Sequence, residues 1–299
     1  MRLLNLIDLL EKEKENVLKN ESLLNNNNKF WFVKKYLNNF KKGQLNIVGG
    51  RTGTGKTTFL INLLEIIEKS KLDENVILFS LEQTSKEIIQ KLISILLRKE
   101  LSFWNNKEQS EVMFKKFYDE LLKNKLFKNL FIIDKNDLNV ESIENILKTI
   151  KNKTKKENSF LLIDHIQILG STEKSGTYEK VSHISRELKK IAVTENVCVI
   201  ALSQLSRESA KSKSLPTLTD LRDSGSIEQD ADVVVLLSEK TKIANNVVLL
   251  NASILKNRNG GLCVSEVLFN KSTGYITQNF ELAKFSADGG NTWDLIHKQ

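Results

Sequence analysis

The chain contains little cysteine, histidine or proline. Its 299 residues include two cysteines, three histidines and one proline. Cys198 and Cys263 lie in apolar, strand-like stretches without the spacing of a metal site, so we expect reduced core residues. The histidines have no ligand spacing either. The composition therefore indicates neither a disulfide framework nor a structural metal site.

Long apolar runs are also missing, and none approaches the length of a membrane-spanning helix. The apolar stretch that follows Arg2 is interrupted by the charged block 11–15, and no small-residue cleavage site of a signal peptide appears. We therefore expect a cytoplasmic protein with no membrane partner.

Size and charge set broad limits. A chain of 299 residues can bury a sizeable core, and 40% hydrophobic with 27% charged residues is ordinary for a globular protein. The net charge of +8 is compatible with a polyanionic partner. Lysine and asparagine dominate the polar residues, and an AT-rich coding sequence explains that bias equally well.

One stretch in the first third of the chain matches the phosphate-loop pattern G-x-x-x-x-G-K-[ST] at every fixed position. Its glycines allow the backbone to turn N–H groups toward phosphate oxygens, and the following helix adds its positive end. An apolar stretch at 45–48 precedes it, and apolar residues at helical spacing occupy 58–67. We therefore predict a nucleotide site formed by Gly50, Arg51, Thr52, Gly53, Thr54, Gly55, Lys56, Thr57 and Thr58.

Two of the expected site residues have oxygen atoms suited to Mg²⁺. The Thr57 hydroxyl would ligate the ion, while Lys56 would reach the β- and γ-phosphates. Asp164 follows the apolar stretch 160–163, so it is expected at the carboxyl end of a buried strand, where open α/β sheets bind ligands. Such an aspartate is a weak signal alone and gains weight from the phosphate loop. We expect it to hold Mg²⁺ through water.

Polar residues also follow two other apolar stretches. Glu82 comes after 76–79 and could orient the water that attacks a γ-phosphate, or could be a surface glutamate that begins a helix. Gln204 comes after 197–202 and could contact the γ-phosphate, or could be an ordinary loop amide. The residues alone leave both alternatives open.

From Gly43 onward, apolar strand-like stretches alternate with helical patterns, which predicts an α/β fold with a parallel sheet and crossover helices. Residues 84–87 have capping-box spacing, and Asn139 can cap a helix that runs to about Lys151. The basic run 151–156 is interpreted as a solvated loop rather than a nucleic-acid patch. Further strands are predicted at 233–237, 247–255 and 263–269, the last two as an antiparallel pair.

We divide the chain into three parts. Residues 1–28 are predicted to form a helix and an asparagine-rich linker, 29–279 a single ATPase domain, and 280–299 a tail without an assignable role. A lone amphipathic helix cannot bury its own apolar stripe, so the N-terminal helix must dock on its own domain or on a neighbouring subunit.

Six segments together resemble the C-terminal ATPase domain of DnaB-type replicative helicases, over roughly residues 40–279. They occur in the family's order, and the long block 220–232 is the most specific. The Asp-His-Ile sequence at 164–166 and the stretch 270–275 are also similar to the helicase half of phage primase-helicases and to the mitochondrial helicase Twinkle. The six segments are 50–57, 79–82, 161–167, 201–207, 220–232 and 256–260.

The resemblance implies a RecA-like core that assembles into a hexameric ring with ATP and Mg²⁺ held between subunits. By that similarity Glu82 is the catalytic carboxylate and Gln204 the γ-phosphate sensor. Arg258 would be an arginine finger offered to the neighbour's ATP, with Lys256 beside it. Without the resemblance, Arg258 is a turn arginine next to glycines.

The resemblance also implies contacts with single-stranded DNA. Arg222, Asp223 and Gly225 match the family's loop that faces the central channel, and residues 170–178 are a candidate second channel loop. Contacts to the phosphate backbone would be largely independent of base sequence and sensitive to salt.

Three features depart from the family's pattern. Only about forty residues precede the core, in place of the helical domain that bacterial members use for primase interaction. His165 stands where the bacterial Walker B region usually has tyrosine, and 29–42 lacks the usual motif before the first strand. A linker helix at 1–28 would, as in the family, dock on the adjacent subunit.

The resulting hypothesis is an ATP-dependent ring helicase that translocates on single-stranded DNA and unwinds duplex during replication, with a helicase loader or primase as candidate partners. The alternative enzyme is a RecA-like recombination or repair ATPase without processive unwinding. A third hypothesis is a regulatory module in which ATP acts as a switch. Intact Lys56, Thr57, Asp164 and Glu82 argue against the third.

Overall fold

The computed structural model describes 40–69, 74–106, 125–135, 137–157, 159–170, 176–206, 214–221 and 224–278, with six helical positions between 108 and 118. The expected N-terminal helix and linker, the C-terminal tail, Arg222, Asp223 and most of the proposed loop 170–178 lie outside the described residues. The predictions made for them therefore remain predictions.

The described chain folds around one mixed sheet with the strand order β3-β2-β4-β5-β1-β6-β7-β8-β9. Strands β1 to β6 pair in parallel, and β6 to β9 continue the sheet as antiparallel pairs. The strands are β1 (Leu45–Gly50), β2 (Asn75–Ser80), β3 (Leu130–Ile133), β4 (Ser159–Asp164), β5 (Cys198–Gln204), β6 (Val233–Ala244), β7 (Val247–Asn257), β8 (Cys263–Asn270) and β9 (Tyr275–Thr277).

Helices form the crossovers between the parallel strands. They are α1 (Lys56–Lys69), α2 (Ser85–Leu97), α3 (Lys125–Lys128), α4 (Val140–Thr154), α5 (Thr177–Thr194) and α6 (Ser224–Asp230), with 3₁₀ turns at Leu101–Asn105 and Leu218–Asp220. No helix among the described residues is long and apolar enough to cross a bilayer.

The alternation of side chains along each strand explains why the central strands are apolar throughout. In β4, Phe160 and Leu162 belong to a core shared with α1 and α2, whereas Leu161 and Ile163 belong to a second core shared with α4 and α5. A parallel strand covered by helices on both faces has no solvated side. The structure confirms the predicted α/β fold.

Both predicted helix starts are confirmed. Thr84 accepts a hydrogen bond from the Glu87 N–H, and the Glu87 carboxylate accepts one from the Thr84 N–H, which completes the capping box. The Asn139 side chain accepts a hydrogen bond from the Ser142 N–H at the start of α4.

The interpretation of 151–156 as a loop was wrong for its first four residues. Helix α4 continues to Thr154, and the Lys151 ammonium donates to the carbonyl oxygen of Glu195 at 2.8 Å. The exposed Asn152 and Lys153 lengthen the solvated face of an amphipathic helix, so the local polarity resembled that of a loop.

The strand register brings the predicted site residues to one edge. Gly50 lies opposite Gln204 in the pairing of β1 with β5, and Ser80 lies opposite Asp164 in the pairing of β2 with β4. Because these strands are parallel, the segments that follow them emerge side by side.

Candidate active site

The loop between β1 and α1 has the tight curl that the glycine spacing predicts. Gly53 and Gly55 have φ of +81° and +86°, in the left-handed region that glycine tolerates. The Thr54 N–H and hydroxyl both donate to the carbonyl oxygen of Arg51, at 3.2 and 2.7 Å. The Phe59 N–H donates to the Gly55 carbonyl at 2.7 Å and begins the hydrogen bonding of α1. The loop thus leads directly into a helix N-terminus, the arrangement that binds phosphate.

Lys56 lies across this loop. Its ammonium donates to the carbonyl oxygen of Arg51 at 3.0 Å. Burial lowers the pKa of Lys56, and the nearby carboxylates of Asp164 and Glu82 act in the opposite direction. The cation is therefore close to the position expected for nucleotide phosphates and to both acidic groups.

Asp164 and Thr57, the pair predicted to hold Mg²⁺, are hydrogen-bonded to each other through their side chains. Burial raises the pKa of Asp164, and a hydrogen bond with the Thr57 side chain opposes that shift. Only 3% of the Asp164 side chain is exposed, and its Oδ2 has no hydrogen-bond partner. A buried carboxylate oxygen left unpaired beside a hydroxyl is a donor set that suits Mg²⁺. These residues therefore fit the ion that the phosphate loop implies.

Glu82 reaches the same place from β2. The Leu81 N–H donates to the Asp164 carbonyl at 2.9 Å, which fixes the segment after β2 to the end of β4. The Glu82 side chain is 55% exposed, and its Oε2 lies 3.5 Å from Nδ1 of His165. A half-exposed carboxylate beside the phosphate loop can contact both water and a bound nucleotide.

His165 is almost buried beside the two acidic groups. Its Nδ1 lies 3.9 Å from Oδ1 of Asp164. Burial lowers the pKa of His165, while Asp164 and Glu82 act to raise it. In the sequence, this histidine stands out only as a departure from the family's tyrosine, and nothing around it indicates a role.

Gln204 is held by a neighbour that the sequence analysis did not assign. The Gln204 N–H donates to Oε1 of Gln167 at 3.3 Å, and Nε2 of Gln167 donates to the Ser203 hydroxyl at 2.8 Å. One amide side chain after β4 therefore fastens the end of β5. Gln167 lies within the family-like segment 161–167, but its partners depend on the strand order, which the sequence does not give.

Lys91 is a further residue near the site that sequence reasoning missed. It lies on α2, and its ammonium donates to Oε1 of Gln83 at 2.7 Å. Burial lowers its pKa, and Asp164, Glu87 and Glu82 act in the opposite direction. A lysine in an amphipathic helix gives no local signal of such an environment.

The structure does not bring Lys256 and Arg258 to this edge. The Lys256 ammonium donates to the Glu228 and Gln229 carbonyl oxygens. Arg258 donates from Nη2 to the same Gln229 oxygen at 2.8 Å. Both cations therefore lie at the C-terminal end of α6, where positive charge is favourable.

The hydrogen bonds of Asp232 indicate how far Lys256 and Arg258 lie from the phosphate loop. The Arg258 N–H donates to the Asp232 carbonyl at 2.9 Å, and Oδ2 of Asp232 accepts from the N–H of Leu45 at 2.8 Å. Leu45 is the first residue of β1, and the phosphate loop begins at its last residue, Gly50. Six residues of strand span roughly 17–20 Å, so these cations lie about that far from their own subunit's loop.

Gly225, expected in a DNA-contacting loop, is the second residue of α6. It is exposed, and a Cβ at this position would lie 2.9 Å from the Tyr178 hydroxyl on α5. The first turn of a helix keeps unpaired N–H groups, so a helical position remains compatible with a phosphate contact.

Residues 27–278 match the family described as DnaB-like helicase C terminal domain. The chain is 30% identical to the replicative DNA helicase DnaB of Mycoplasma pneumoniae, over 87% of this chain and 57% of that protein. It is 35% identical to the Helicobacter pylori (strain ATCC 700392 / 26695) protein of the same name, over 68% of this chain and 41% of that protein. The chain thus spans about half the length of the curated relatives it matches.

Solved structures show the same similarity. One solved ATPase domain superposes with a TM-score of 0.81 at 26% identity, covering 92% of this chain and 99% of that chain. A DnaB-like replicative helicase, solved in a study of its interactions with primase, superposes with a TM-score of 0.79 at 25% identity, covering 91% of this chain and 68% of that chain.

Proposed function

Because this chain belongs to the DnaB-like helicase C-terminal domain family, we propose that it hydrolyses ATP and uses the energy to move along single-stranded DNA and unwind duplex. The observation that carries the proposal is the convergence of the phosphate loop, Asp164 and Glu82 at one edge of the sheet. This set of groups supplies phosphate binding, a metal ligand and a carboxylate for water, which phosphoryl transfer to water needs.

Each group has a distinct part in hydrolysis. The loop N–H groups and Lys56 would bind the β- and γ-phosphates, and Thr57 and Asp164 would hold Mg²⁺, which neutralises phosphate charge when bound. The half-exposed Glu82 carboxylate would orient the attacking water and accept its proton. Gln204, held at the adjacent strand end, would contact the γ-phosphate and report its loss.

The positions of Lys256 and Arg258 support a ring. They lie at the opposite end of β1 from the loop, so they cannot reach their own subunit's nucleotide without a large rearrangement. In a head-to-tail assembly they would face the neighbour's nucleotide instead. A guanidinium supplied across the interface stabilises transition-state charge and makes hydrolysis depend on subunit position. We propose a hexamer on the similarity to the family.

The proposed DNA contacts complete the activity. Arg222, Asp223 and Gly225 would hold the phosphate backbone in the central channel, so binding would weaken with salt and depend little on base sequence. A loader or primase is a candidate partner of the ring.

Unwinding of a forked duplex with ATP tests the whole proposal. The parent is compared with Lys56→Ala and Arg258→Ala, and we expect both variants to lose ATP hydrolysis and unwinding. Stimulation of hydrolysis by single-stranded DNA without fork opening would instead favour the recombination-type ATPase. Absence of hydrolysis in the parent would favour the switch module.

A mixing experiment tests the interface. If the two inactive variants are co-assembled in equal amounts, about a quarter of the interfaces pair an intact loop with an intact Arg258. ATP hydrolysis should return to about that fraction of the parent rate. Mixed rings that remain inactive would show that Arg258 does not act on the neighbour's nucleotide.

A further inference from the structure

Glu82, Asp164 and His165 form a cluster of three potential metal ligands at the mouth of the site. One oxygen from each carboxylate and one imidazole nitrogen lie within 4.8 Å of one another. The His165 Nδ1 is 3.5 Å from Glu82 Oε2 and 3.9 Å from Asp164 Oδ1. In an octahedral site with bonds of about 2.1 Å, adjacent ligand atoms lie roughly 3.0 Å apart and opposite ones roughly 4.2 Å. The two separations from His165 Nδ1 fall between these values.

A second, independent feature points to a cation. The Asp164 side chain is only 3% exposed, and its other oxygen, Oδ2, is buried without a hydrogen-bond partner. A buried carboxylate with an unused oxygen is costly unless a cation approaches it. The 55% exposure of Glu82 leaves one side of the cluster open, so an ion can enter and retain water ligands.

We propose that Glu82, Asp164 and His165 bind a divalent transition-metal ion, for which Mn²⁺ is the probe. The site shares Asp164 with the Mg²⁺ pair but differs from it by an imidazole nitrogen. Mg²⁺ prefers oxygen ligands throughout, whereas transition-metal ions accept imidazole readily. The ligand set therefore favours Mn²⁺ over Mg²⁺.

Occupancy of this site would affect hydrolysis. An ion bound to Glu82 occupies the carboxylate that would otherwise orient the attacking water, so it would slow turnover. That consequence rests on the proposed function, whereas binding of the metal does not.

Pulsed electron paramagnetic resonance of Mn²⁺ bound to the nucleotide-free chain tests the proposal directly. Imidazole ligation adds a ¹⁴N modulation to the spectrum, which carboxylates and water do not produce. We expect one tightly bound Mn²⁺ per chain with this modulation, retained in a tenfold excess of Mg²⁺. His165→Tyr, which supplies the tyrosine usual in bacterial relatives, should remove the modulation and weaken Mn²⁺ binding at least tenfold.

Two matched variants separate this site from others. Thr57→Val removes the hydroxyl of the Mg²⁺ pair and should leave the nitrogen modulation intact. His183→Asn removes an imidazole near the acidic residues Glu141, Glu144 and Glu187 and should also leave it intact. Loss of the nitrogen modulation in His183→Asn would show that the ion binds at His183 and would overturn the proposal.

The parent protein alone can also refute the site. Bound Mn²⁺ without nitrogen modulation, or no bound Mn²⁺ at millimolar concentrations, would overturn the assignment even if His165→Tyr failed to fold. A folded His165→Tyr variant that kept the modulation would do the same. None of these measurements depends on helicase activity, so they can fail or succeed independently of the proposed function.

Discussion

Gly55, the last residue of the phosphate loop before α1, packs directly against the ring of Phe269 on β8. A Cβ at Gly55 would lie 2.7 Å from Cε1 of that ring. The glycine also has φ of +86°. Two constraints therefore favour glycine at position 55. Its φ is positive, and the ring of Phe269, on a strand far along the chain, leaves no space for a side chain.

Gly55→Ala should therefore destabilise the fold more than Gly53→Ala. Gly53 has φ of +81° but nothing within 4 Å of an added Cβ, so alanine there costs only the left-handed strain of about 1–2 kcal/mol. At Gly55 the same strain is joined by overpacking against Phe269, which adds about 1–3 kcal/mol. Urea unfolding of the nucleotide-free variants measures both free energies.

Phe269→Leu provides the control. The smaller side chain creates space beside the loop, so Gly55→Ala should cost less in the Phe269→Leu background than in the parent, whereas the cost of Gly53→Ala should not change. Equal costs for the two glycine variants in the parent would show that the contact with the ring has no energetic weight.

Contacts between segments that are far apart in the sequence could not be predicted from it. The phosphate loop, the buried strands and the capping box follow from local spacing and periodicity, and the structure has them where they were expected. The contacts of Gly55 with Phe269 and of Gln167 with Ser203 join segments that meet only through the strand order. Lys91 depends in the same way on how α2 packs.

The prediction of a loop at 151–156 was partly wrong for a local reason. A basic run on the solvated face of a helix has the same composition as a loop, and only the end of α4 distinguishes them. The extension of β6 to Ala244, beyond the predicted 237, has a different cause. Its exposed polar half pairs with β7, and cross-strand pairing does not require an apolar sequence.

Gln167→Leu should slow ATP hydrolysis about tenfold with little change in nucleotide affinity. The substitution keeps the size of the side chain but removes its bonds to the Gln204 N–H and the Ser203 hydroxyl. Small errors in the placement of a γ-phosphate contact reduce turnover more than binding. Steady-state hydrolysis and nucleotide titration measure the two effects separately.

Ser203→Ala is the matched control, since it removes one of the two bonds and should have a smaller effect. If nucleotide affinity fell in parallel with turnover, the amide would be acting on the shape of the whole site rather than on Gln204.

Arg98→Ala should lower the free energy of unfolding by about 3–5 kcal/mol. Its guanidinium lies 3.2 Å from Glu65 and 3.3 Å above the ring centre of Tyr275, and the side chains of Arg98 and Glu65 are only 6% and 3% exposed. Removal of the cation leaves a buried carboxylate that has lost its guanidinium partner. Chemical denaturation measures the loss.

The double variant Arg98→Ala with Glu65→Gln distinguishes charge from packing. It should be more stable than Arg98→Ala alone, because a buried neutral amide costs less than a buried carboxylate that has lost its guanidinium partner. An equal or greater loss in the double variant would assign the effect to packing against Tyr275.

Glu74→Gln should stabilise the protein at pH 7.5 relative to the parent and give less benefit at pH 4.5. Glu74 precedes β2 and its side chain is only 7% exposed, with the Lys42 ammonium 3.3 Å away. Burial raises the pKa of Glu74, and this outweighs the lowering by Lys42. Above the unfolded value near 4.5, the folded chain retains a proton that the unfolded chain has released. Stability therefore falls as pH rises through that window, and glutamine removes this loss.

Lys42→Met tests the same balance from the other side. Without the ammonium, burial acts on Glu74 unopposed, so the variant should lose more stability relative to the parent at pH 7.5 than at pH 4.5. Thermal unfolding of the three proteins at both pH values measures the differences. A Glu74→Gln variant less stable than the parent at pH 7.5 would mean that the ion pair with Lys42 outweighs the cost of burying the carboxylate. The direction of the pKa shift would then be wrong, because a net favourable charge on Glu74 requires a pKa below the unfolded value.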